Sequence, residues 1–272
     1  MTTQAQKAEA FRALHARPKA FIIPNPWDAG TARLLAKLGF EALATTSAGF
    51  AFSSGVQDNG VGRDRMLAHV AEIVAATDLP VSADLENGFG DEPEAVAETI
   101  RLAAATGLAG GSIEDAIGRP GETLYGLGLA RERIRAAVEA KQALAQPFTL
   151  TARAENFLVG LPDLADTIRR LQAYQEAGAD VLYAPGITTR EEIAAVVSSV
   201  DRPVNFLMGT QPQRFTLDEL SALGVRRVSV GSALSLAALG AFLRAAREMA
   251  ATGTFTYTQD CAGFSEVSKL LD

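Results

Sequence analysis

Histidine and lysine are scarce in this chain of 272 residues. The only two histidines, His15 and His69, fall in stretches whose pattern predicts helix. A serine triad and a histidine-bound metal are therefore not expected. Five lysines are present, and none of them follows a stretch that predicts a β-strand. This argues against an aldolase that works through a lysine Schiff base.

Cysteine and long apolar runs are scarce as well. The single cysteine, Cys261, excludes an internal disulfide and fits a reducing compartment. The first residues form no apolar signal segment, and no apolar run reaches the length of a transmembrane helix. The net charge of -7 includes no basic patch. These absences predict a cytoplasmic protein that binds neither nucleic acid nor membranes.

Short apolar segments rich in β-branched residues alternate with helical segments along most of the chain. Strands that alternate with helices predict a parallel sheet, and eight such units predict an α/β fold of the (β/α)₈ TIM-barrel type. An open doubly wound sheet is disfavoured because no G-x-G-x-x-G motif follows the first strand. The predicted strands span residues 20–24, 42–46, 79–83, 109–113, 148–152, 180–184, 203–207 and 227–230.

The same alternation predicts one domain over residues 1–272. Within it we expect a barrel over about residues 20–250, preceded by an N-terminal helix over residues 4–16. A C-terminal arm follows over residues 252–272, and its last part predicts a short helix with an apolar face. That helix packs either on its own barrel or on a partner subunit.

Carboxylates follow the predicted strands at the end where barrel enzymes carry their chemistry. Asp84 and Glu86 follow the third strand, Glu114 follows the fourth, and Asp58 lies in a long loop over residues 47–60. So many acids are tolerated at one mouth only with a cation among them. Oxygen ligands favour Mg²⁺ or Mn²⁺. We expect Asp84 to bind the metal directly, while the other three acids hold its water molecules.

Arg153 follows the fifth predicted strand and is the one cation at this mouth. Its planar fork suits a substrate carboxylate. Backbone N–H groups of Thr46, Ser47 and Ala48 could bind the same anion. Metal, arginine and amides together predict an α-keto acid as the ligand. Simpler roles stay open for three neighbours: Asp115 could cap a loop, Glu155 could only pair with Arg153, and Asn205 could join two strands.

Five motifs in this order resemble the isocitrate lyase and phosphoenolpyruvate mutase superfamily. They are Pro24-x-x-Trp27-Asp28-Ala29, Thr46-Ser47-Ala48-Gly49, Asp84-x-Glu86-x-Gly88-Phe89-Gly90, Ser112-Ile113-Glu114-Asp115 and Ala152-Arg153-x-Glu155. The resemblance implies a (β/α)₈ barrel, a Mg²⁺ ion held by the acids after the third strand, and C–C or P–C bond chemistry beside an α-keto acid. It also implies a homotetramer whose last barrel helix is exchanged between neighbouring subunits, and we expect a homo-oligomer, either a dimer or a tetramer.

The loop at residues 117–126 departs from the family. It contains neither the Lys-Lys-Cys-Gly-His sequence of the lyases nor the Lys-Thr-Asn-Ser sequence of the mutase. Glu122 and Tyr125 are the candidate proton donors in this loop. No second arginine follows the last strand, where a large tricarboxylate would need an anchor.

These departures predict a mutase-like member without the lyase cysteine. We expect a Mg²⁺-dependent lyase or decarboxylase that acts on a small keto or hydroxy acid through a metal-stabilised enolate, as an oxaloacetate decarboxylase or a short-chain methylisocitrate lyase would. Two alternatives remain: a phosphonomutase or phosphonopyruvate hydrolase, and a keto-acid-binding protein without catalysis.

Overall fold

A computed structural model describes residues 2–209 and 214–272. Its eight strands are all parallel and follow the order β1-β8-β7-β6-β5-β4-β3-β2. The amide of Ala44 donates a hydrogen bond of 3.1 Å to the carbonyl of Pro24, which brings β2 against the end of β1. The predicted (β/α)₈ barrel is confirmed. The strands are β1 (Phe21–Ile23), β2 (Leu43–Ala44), β3 (Val81–Asp84), β4 (Gly110–Glu114), β5 (Thr149–Arg153), β6 (Val181–Tyr183), β7 (Val204–Leu207) and β8 (Arg227–Ser229).

The helices connect the strands and extend the chain at both ends. They are α1 (Gln4–His15), α2 (Ala29–Lys37), α3 (Ser47–Ser53), α4 (Arg63–Ala75), α5 (Pro93–Ala105), α6 (Leu127–Gln142), α7 (Leu164–Ala177), α8 (Arg190–Ser198), α9 (Leu217–Ala222), α10 (Ala233–Thr252) and α11 (Phe264–Leu271). A 3₁₀ turn over Thr256–Asp260 joins the last two. In the described part of the chain, no helix is long and apolar enough to cross a membrane.

Side-chain caps fix where several of these helices begin. Asp28 accepts a hydrogen bond from the amide of Thr31 at the start of α2, and Thr189 and Glu192 bond reciprocally at the start of α8. Such caps satisfy N–H groups that the first helical turn leaves without acceptors. Gly178 ends α7 with a φ of 105°, which a glycine adopts without steric cost.

Residues 47–53 differ from the sequence-based expectation. They form α3 rather than the first half of a loop. Thr46 caps this helix, because its side chain accepts a hydrogen bond of 3.2 Å from the amide of Gly49. A run of small residues lacks a clear apolar period, so only the cap could have predicted the helix.

The apolar core lies between the outside of the barrel and the surrounding helices, while the barrel interior is polar. Buried side chains such as Ser82, Thr151 and Arg227 belong to strands on its wall. Helix α1 closes the amino-terminal end, where the rings of Phe11 and His15 meet edge to face. Burial, followed by the charge of Arg227, lowers the pKa of His15 to about 3. The imidazole is therefore neutral at physiological pH.

The last two helices make very different contacts. Helix α11 packs against α2 of the same chain, as one of the two readings of the arm predicted. On α10, by contrast, Ser235 is the one buried residue. Large apolar side chains of α10 face solvent, including Phe242 with 66% of its surface exposed and Leu236 with 49%. In the single chain, α10 therefore leaves an apolar surface uncovered.

Candidate active site

Asp84 ends β3 and faces a cavity of about 370 Å³ at the carboxyl end of the barrel. Side chains alternate along a strand, so Ser82 and Asp84 point into the barrel while Val81 and Ala83 pack outside. The Ser47 hydroxyl donates a hydrogen bond of 2.9 Å to Oδ2 of Asp84. Arg153 Nη1 contacts Oδ1 at 2.9 Å. The carboxylate is thus fixed from two sides.

Arg153 lies at the centre of three acids. Besides Asp84, its guanidinium contacts Glu114 at 3.2 Å and Glu155 at 2.7 Å. Burial alone would lower the pKa of this guanidinium, but the charges of the three carboxylates raise it well above its usual value. Only about 12% of the Arg153 side chain is exposed, so its positive charge stays close to the cavity. The pairing of Arg153 with Glu155 agrees with the simpler role considered for Glu155.

One arginine cannot neutralise all the acids around it. Burial raises the pKa of Glu114 well above its usual value, and Arg153 only partly offsets this. Burial likewise raises the pKa of Glu155. The cluster therefore has an excess of buried carboxylates, an arrangement that a further cation would stabilise.

Glu86 is the carboxylate of this cluster that most clearly lacks a positively charged partner. Only 6% of this residue is exposed, and its Oε1 is buried without a hydrogen-bond partner among the described residues. Burial, followed by the charges of Asp84 and Asp58, raises the pKa of Glu86 to about 8. The residue also has a φ of 50°, a left-handed conformation that is unusual for a side chain of this size.

Asp58 faces the same cavity from its outer edge. Although the residue is exposed, partial loss of water and then the charge of Asp84 raise the pKa of its carboxyl group. These acids, with the unpartnered oxygen of Glu86, fit a hard divalent cation. In the described part of the chain, no three His, Cys, Asp or Glu side chains are arranged to hold a metal by themselves. A Mg²⁺ ion that keeps several water molecules needs only one or two direct carboxylate ligands.

The raised pKa of Glu86 predicts a pH-dependent stability in metal-free protein. Folding raises the pKa from 4.5 to about 8, so the folded state binds this proton more tightly. The resulting stabilisation is fully present below pH 4.5 and is lost as the pH rises through about 8. With EDTA present, we expect Glu86→Gln to have a less steep fall in melting temperature from pH 5 to pH 8 than the parent. The exposed Glu92→Gln is the control, and parallel curves for all three proteins would contradict the prediction.

Arg133 holds the loop that carries Glu86. This buried side chain extends from α6 and donates hydrogen bonds to the carbonyls of Asn87, Gly90 and Asp91. Its guanidinium carbon also lies 4.1 Å from the ring centroid of Tyr125. The loop after β3 is thus attached to a helix of the next unit, and sequence reasoning did not identify this residue.

The two candidate proton donors of the 117–126 loop have different positions relative to the cavity. Glu122 reaches the cavity wall, but Arg119 pairs with it at 2.8 Å and lowers its pKa. Tyr125 does not line the cavity: it is 4% exposed, and its hydroxyl donates a hydrogen bond of 2.6 Å to Asp91. Burial and this bond raise the pKa of Tyr125 to about 12. Both side chains thus hold the loop, and a role in proton transfer remains a prediction.

The other predicted binding residues lie together on the cavity wall, namely Thr46, Ser47, Ala48 and Asn205. Asn205 also joins two strands, because its amide group donates a hydrogen bond of 2.9 Å to the hydroxyl of Ser229 on β8. Three further lining residues escaped sequence reasoning: Tyr183, Arg227 and Ser229. Each of the three is a polar residue within a short apolar strand, and this pattern could have identified them as facing the barrel interior.

Comparison with known proteins agrees with this architecture. Residues 11–250 match the family model of phosphoenolpyruvate phosphomutase. A crystal structure of a candidate lyase/mutase from Burkholderia cenocepacia J2315 has a TM-score of 0.94 and 65% identity, covering 98% of this chain and 95% of that one. The 2-methylisocitrate lyase of Escherichia coli K12 is 32% identical over 227 residues, which are 80% of this chain and 75% of the relative. Oxaloacetate decarboxylase 1 of Pseudomonas putida W619 is 28% identical over 239 residues, 85% of this chain and 81% of the relative.

This chain belongs to the isocitrate lyase/phosphoenolpyruvate mutase superfamily. The recognition from five sequence motifs is therefore confirmed, and the chain is an enzyme of this superfamily. The superfamily motifs and the cavity coincide in space, since Ser47, Asp84, Glu114 and Arg153 all line it. The departing loop also reaches the cavity, through Gly118, Glu122 and Thr123.

Proposed function

We propose that this enzyme is a Mg²⁺-dependent lyase that breaks the C–C bond one carbon removed from the keto group of a small dicarboxylic acid, with oxaloacetate decarboxylation as the first candidate reaction. The observation that carries the proposal is the buried cluster of Arg153 with Asp84, Glu114 and Glu155 beside the unpartnered oxygen of Glu86. This cluster offers one fixed cation for a carboxylate and a set of oxygens for a divalent metal.

Two observations favour a small substrate and a simple reaction. A cavity of about 370 Å³ is at the lower end of the range of small-molecule sites. The loop over residues 117–126 contains no cysteine or histidine, so it lacks the thiol or imidazole that could exchange protons with a substrate near neutral pH. Decarboxylation of a β-keto acid needs no base to remove a hydroxyl proton, whereas cleavage of a 2-hydroxy acid does. An oxaloacetate decarboxylase is also among the relatives.

The residues around the cavity would have different roles in binding the metal and the substrate. Asp84 would hold the cation directly, and Asp58, Glu86 and Glu114 would orient its water molecules. A bound Mg²⁺ or Mn²⁺ supplies positive charge where the keto oxygen becomes negative. Ser47 fixes the Asp84 carboxylate through its 2.9 Å hydrogen bond. Arg153 would bind the carboxylate next to the keto group, assisted by the backbone N–H of Ala48, which lies on the cavity wall in the first turn of α3.

The test is a substrate panel with oxaloacetate, methylisocitrate and phosphonopyruvate. We expect pyruvate formation from oxaloacetate to exceed turnover of the other two, to stop with EDTA and to return with Mg²⁺ or Mn²⁺. Because free metal decarboxylates oxaloacetate slowly in solution, a blank without enzyme at the same metal concentration is subtracted. Preferred turnover of phosphonopyruvate would replace the proposal with P–C chemistry. Binding of these acids without turnover would leave a binding protein.

We also propose that the exposed apolar side chains of α10 pack against a second copy of this chain in a dimer or tetramer. Support comes from Phe242 and Leu236, which are largely exposed in the single chain. Burying such side chains is worth about 25 cal/mol per Å² of apolar surface. Sedimentation equilibrium should show an oligomer at micromolar concentration, and a monomer under these conditions would contradict the proposal.

A further inference from the structure

A buried arginine without an acidic partner lies at the floor of the cavity. Arg227 is 5% exposed, and no carboxylate forms an ion pair with it among the described residues. Three neutral groups accept its hydrogen bonds instead: Asn205 Oδ1 at 2.9 Å, Thr151 Oγ1 at 3.0 Å and the neutral ring of His15 at 3.4 Å. Burial lowers the pKa of Arg227 to about 10, so it remains charged at neutral pH.

A charged arginine can only donate hydrogen bonds, and this fixes the orientation of the Asn205 amide that accepts one of them. Since Arg227 donates to the Oδ1 atom of Asn205, the amide NH₂ must point to Ser229, to which it donates at 2.9 Å. The hydroxyl of Ser229 then donates to the hydroxyl oxygen of Tyr183 at 3.4 Å. These hydrogen bonds thus form a chain in which each group donates to the next. The chain runs from Arg227 through Asn205 and Ser229 and ends at the phenol of Tyr183.

The end of this chain is an O–H group without an acceptor. Tyr183 accepts a hydrogen bond from Ser229, and no described residue accepts one from Tyr183. The side chain lines the cavity and is 7% exposed, with the guanidinium carbon of Arg153 5.1 Å from its ring centroid. A buried hydroxyl normally finds an acceptor. The missing acceptor is therefore expected to be part of the substrate, held beside Arg153.

We infer that Tyr183 is the catalytic acid that delivers a proton to the enolate carbon after bond cleavage, and that Arg227, Asn205 and Ser229 position it. The inference rests on the proposed function, because it requires an enolate. It also places the proton donor on a barrel strand, away from the 117–126 loop.

With oxaloacetate as the substrate, the proposed proton transfer from Tyr183 conserves atoms and charge. The C–C bond breaks, carbon dioxide leaves, and its bonding electrons remain on pyruvate enolate. The O–H bond of Tyr183 then breaks while a C–H bond forms at C3, because an enolate carbon is a stronger base than a phenolate. The hydrogen bond from Ser229 stabilises the phenolate during this transfer. Water returns a proton to Tyr183, and the hydroxide so formed combines with carbon dioxide to give bicarbonate.

The test measures enolate protonation separately from cleavage. Wild-type holoenzyme with Mg²⁺ should exchange one of the two C3 hydrogens of 2-oxobutyrate in D₂O, as followed by proton NMR. In Tyr183→Phe, we expect this exchange to slow by about 100-fold or more. Carbon dioxide release from oxaloacetate should fall far less, because the released enolate can take its proton from water. Tyr257→Phe, on the 3₁₀ turn outside the barrel, is the matched control and should behave as wild type.

The positioning residues give a second, independent readout. Ser229→Ala should slow the exchange by about threefold to tenfold with unchanged KM, because one hydrogen bond to the phenolate is lost. Ser229→Thr should restore the rate, which a general packing defect would not allow. Unchanged exchange in Tyr183→Phe would overturn the inference, as would an equal loss of exchange and cleavage. If wild-type enzyme neither exchanged nor cleaved keto acids, the proposed function would fall first, and the inference with it.

Discussion

Asp84→Asn is expected to lose at least about 1000-fold in kcat/KM for the substrate that the panel identifies, because metal catalysis is worth several kcal/mol and each 1.4 kcal/mol is a factor of ten. The amide retains the shape of the carboxylate and can still accept the hydrogen bond from Ser47, which is 2.9 Å long in the parent. What it loses is the negative charge that pairs with Arg153 and that would hold the proposed cation. The measurement is steady-state kinetics over a Mg²⁺ titration.

The control for this prediction is Asp64→Asn, whose carboxylate is 95% exposed on α4. It should keep full activity and the parent's Mg²⁺ dependence. If Asp84→Asn retained substantial activity at low Mg²⁺ concentration, Asp84 could not be the principal metal ligand. A loss of activity together with a large loss of melting temperature would instead show that Asp84 acts mainly through the fold.

Arg153→Lys should raise KM strongly and also lower stability. In the parent, one planar guanidinium contacts Asp84 at 2.9 Å, Glu114 at 3.2 Å and Glu155 at 2.7 Å. An ammonium group is a point charge and cannot keep this fork-shaped geometry. At least one buried carboxylate is then left without its partner, and breaking a buried pair typically costs about 3–5 kcal/mol. Kinetics and thermal unfolding together check both parts.

The matched control is Arg135→Lys, because Arg135 forms its ion pairs with Glu132 and Glu139 on the exposed face of α6. Pairs of this kind contribute about 0–1 kcal/mol, so neither KM nor the melting temperature should move appreciably. An unchanged KM in Arg153→Lys would remove the arginine from substrate binding. Its role would then be confined to neutralising the acids around it.

Local patterns predicted the barrel because each strand and helix follows mainly from its own sequence. Buried parallel strands are short apolar runs, and their carboxyl ends must meet at one face. The position of Asp84, Glu114 and Arg153 on one cavity follows from that topology alone. Helix α3 was missed because residues 47–53 have no apolar period, although Thr46 is a good capping residue.

The features of the site that the sequence did not predict depend on contacts between different segments of the chain. Tyr125 turns away from the cavity because the loop pairs with itself between Ala116 and Leu124, which places the phenol beside Asp91. Arg227 and Asn205 are partners in the register of β7 and β8, so their bond appears only when these two strands pair. The sequence shows that such residues are polar and lie within strands. Whether they point inward depends on the register of strands far apart in the chain.

Helix α10 begins four residues after β8, the strand that carries Arg227 and Ser229. Large apolar side chains of this helix face solvent in one chain, with Phe242 66% exposed and Leu243 44% exposed. In the proposed assembly these positions become interior positions of another subunit. Replacing Phe242 with a polar residue would then be as costly as a core substitution, although a single chain suggests a tolerant surface. The α10 positions that tolerate substitution would then be those that stay exposed in the assembly, and not those that are exposed in the isolated subunit.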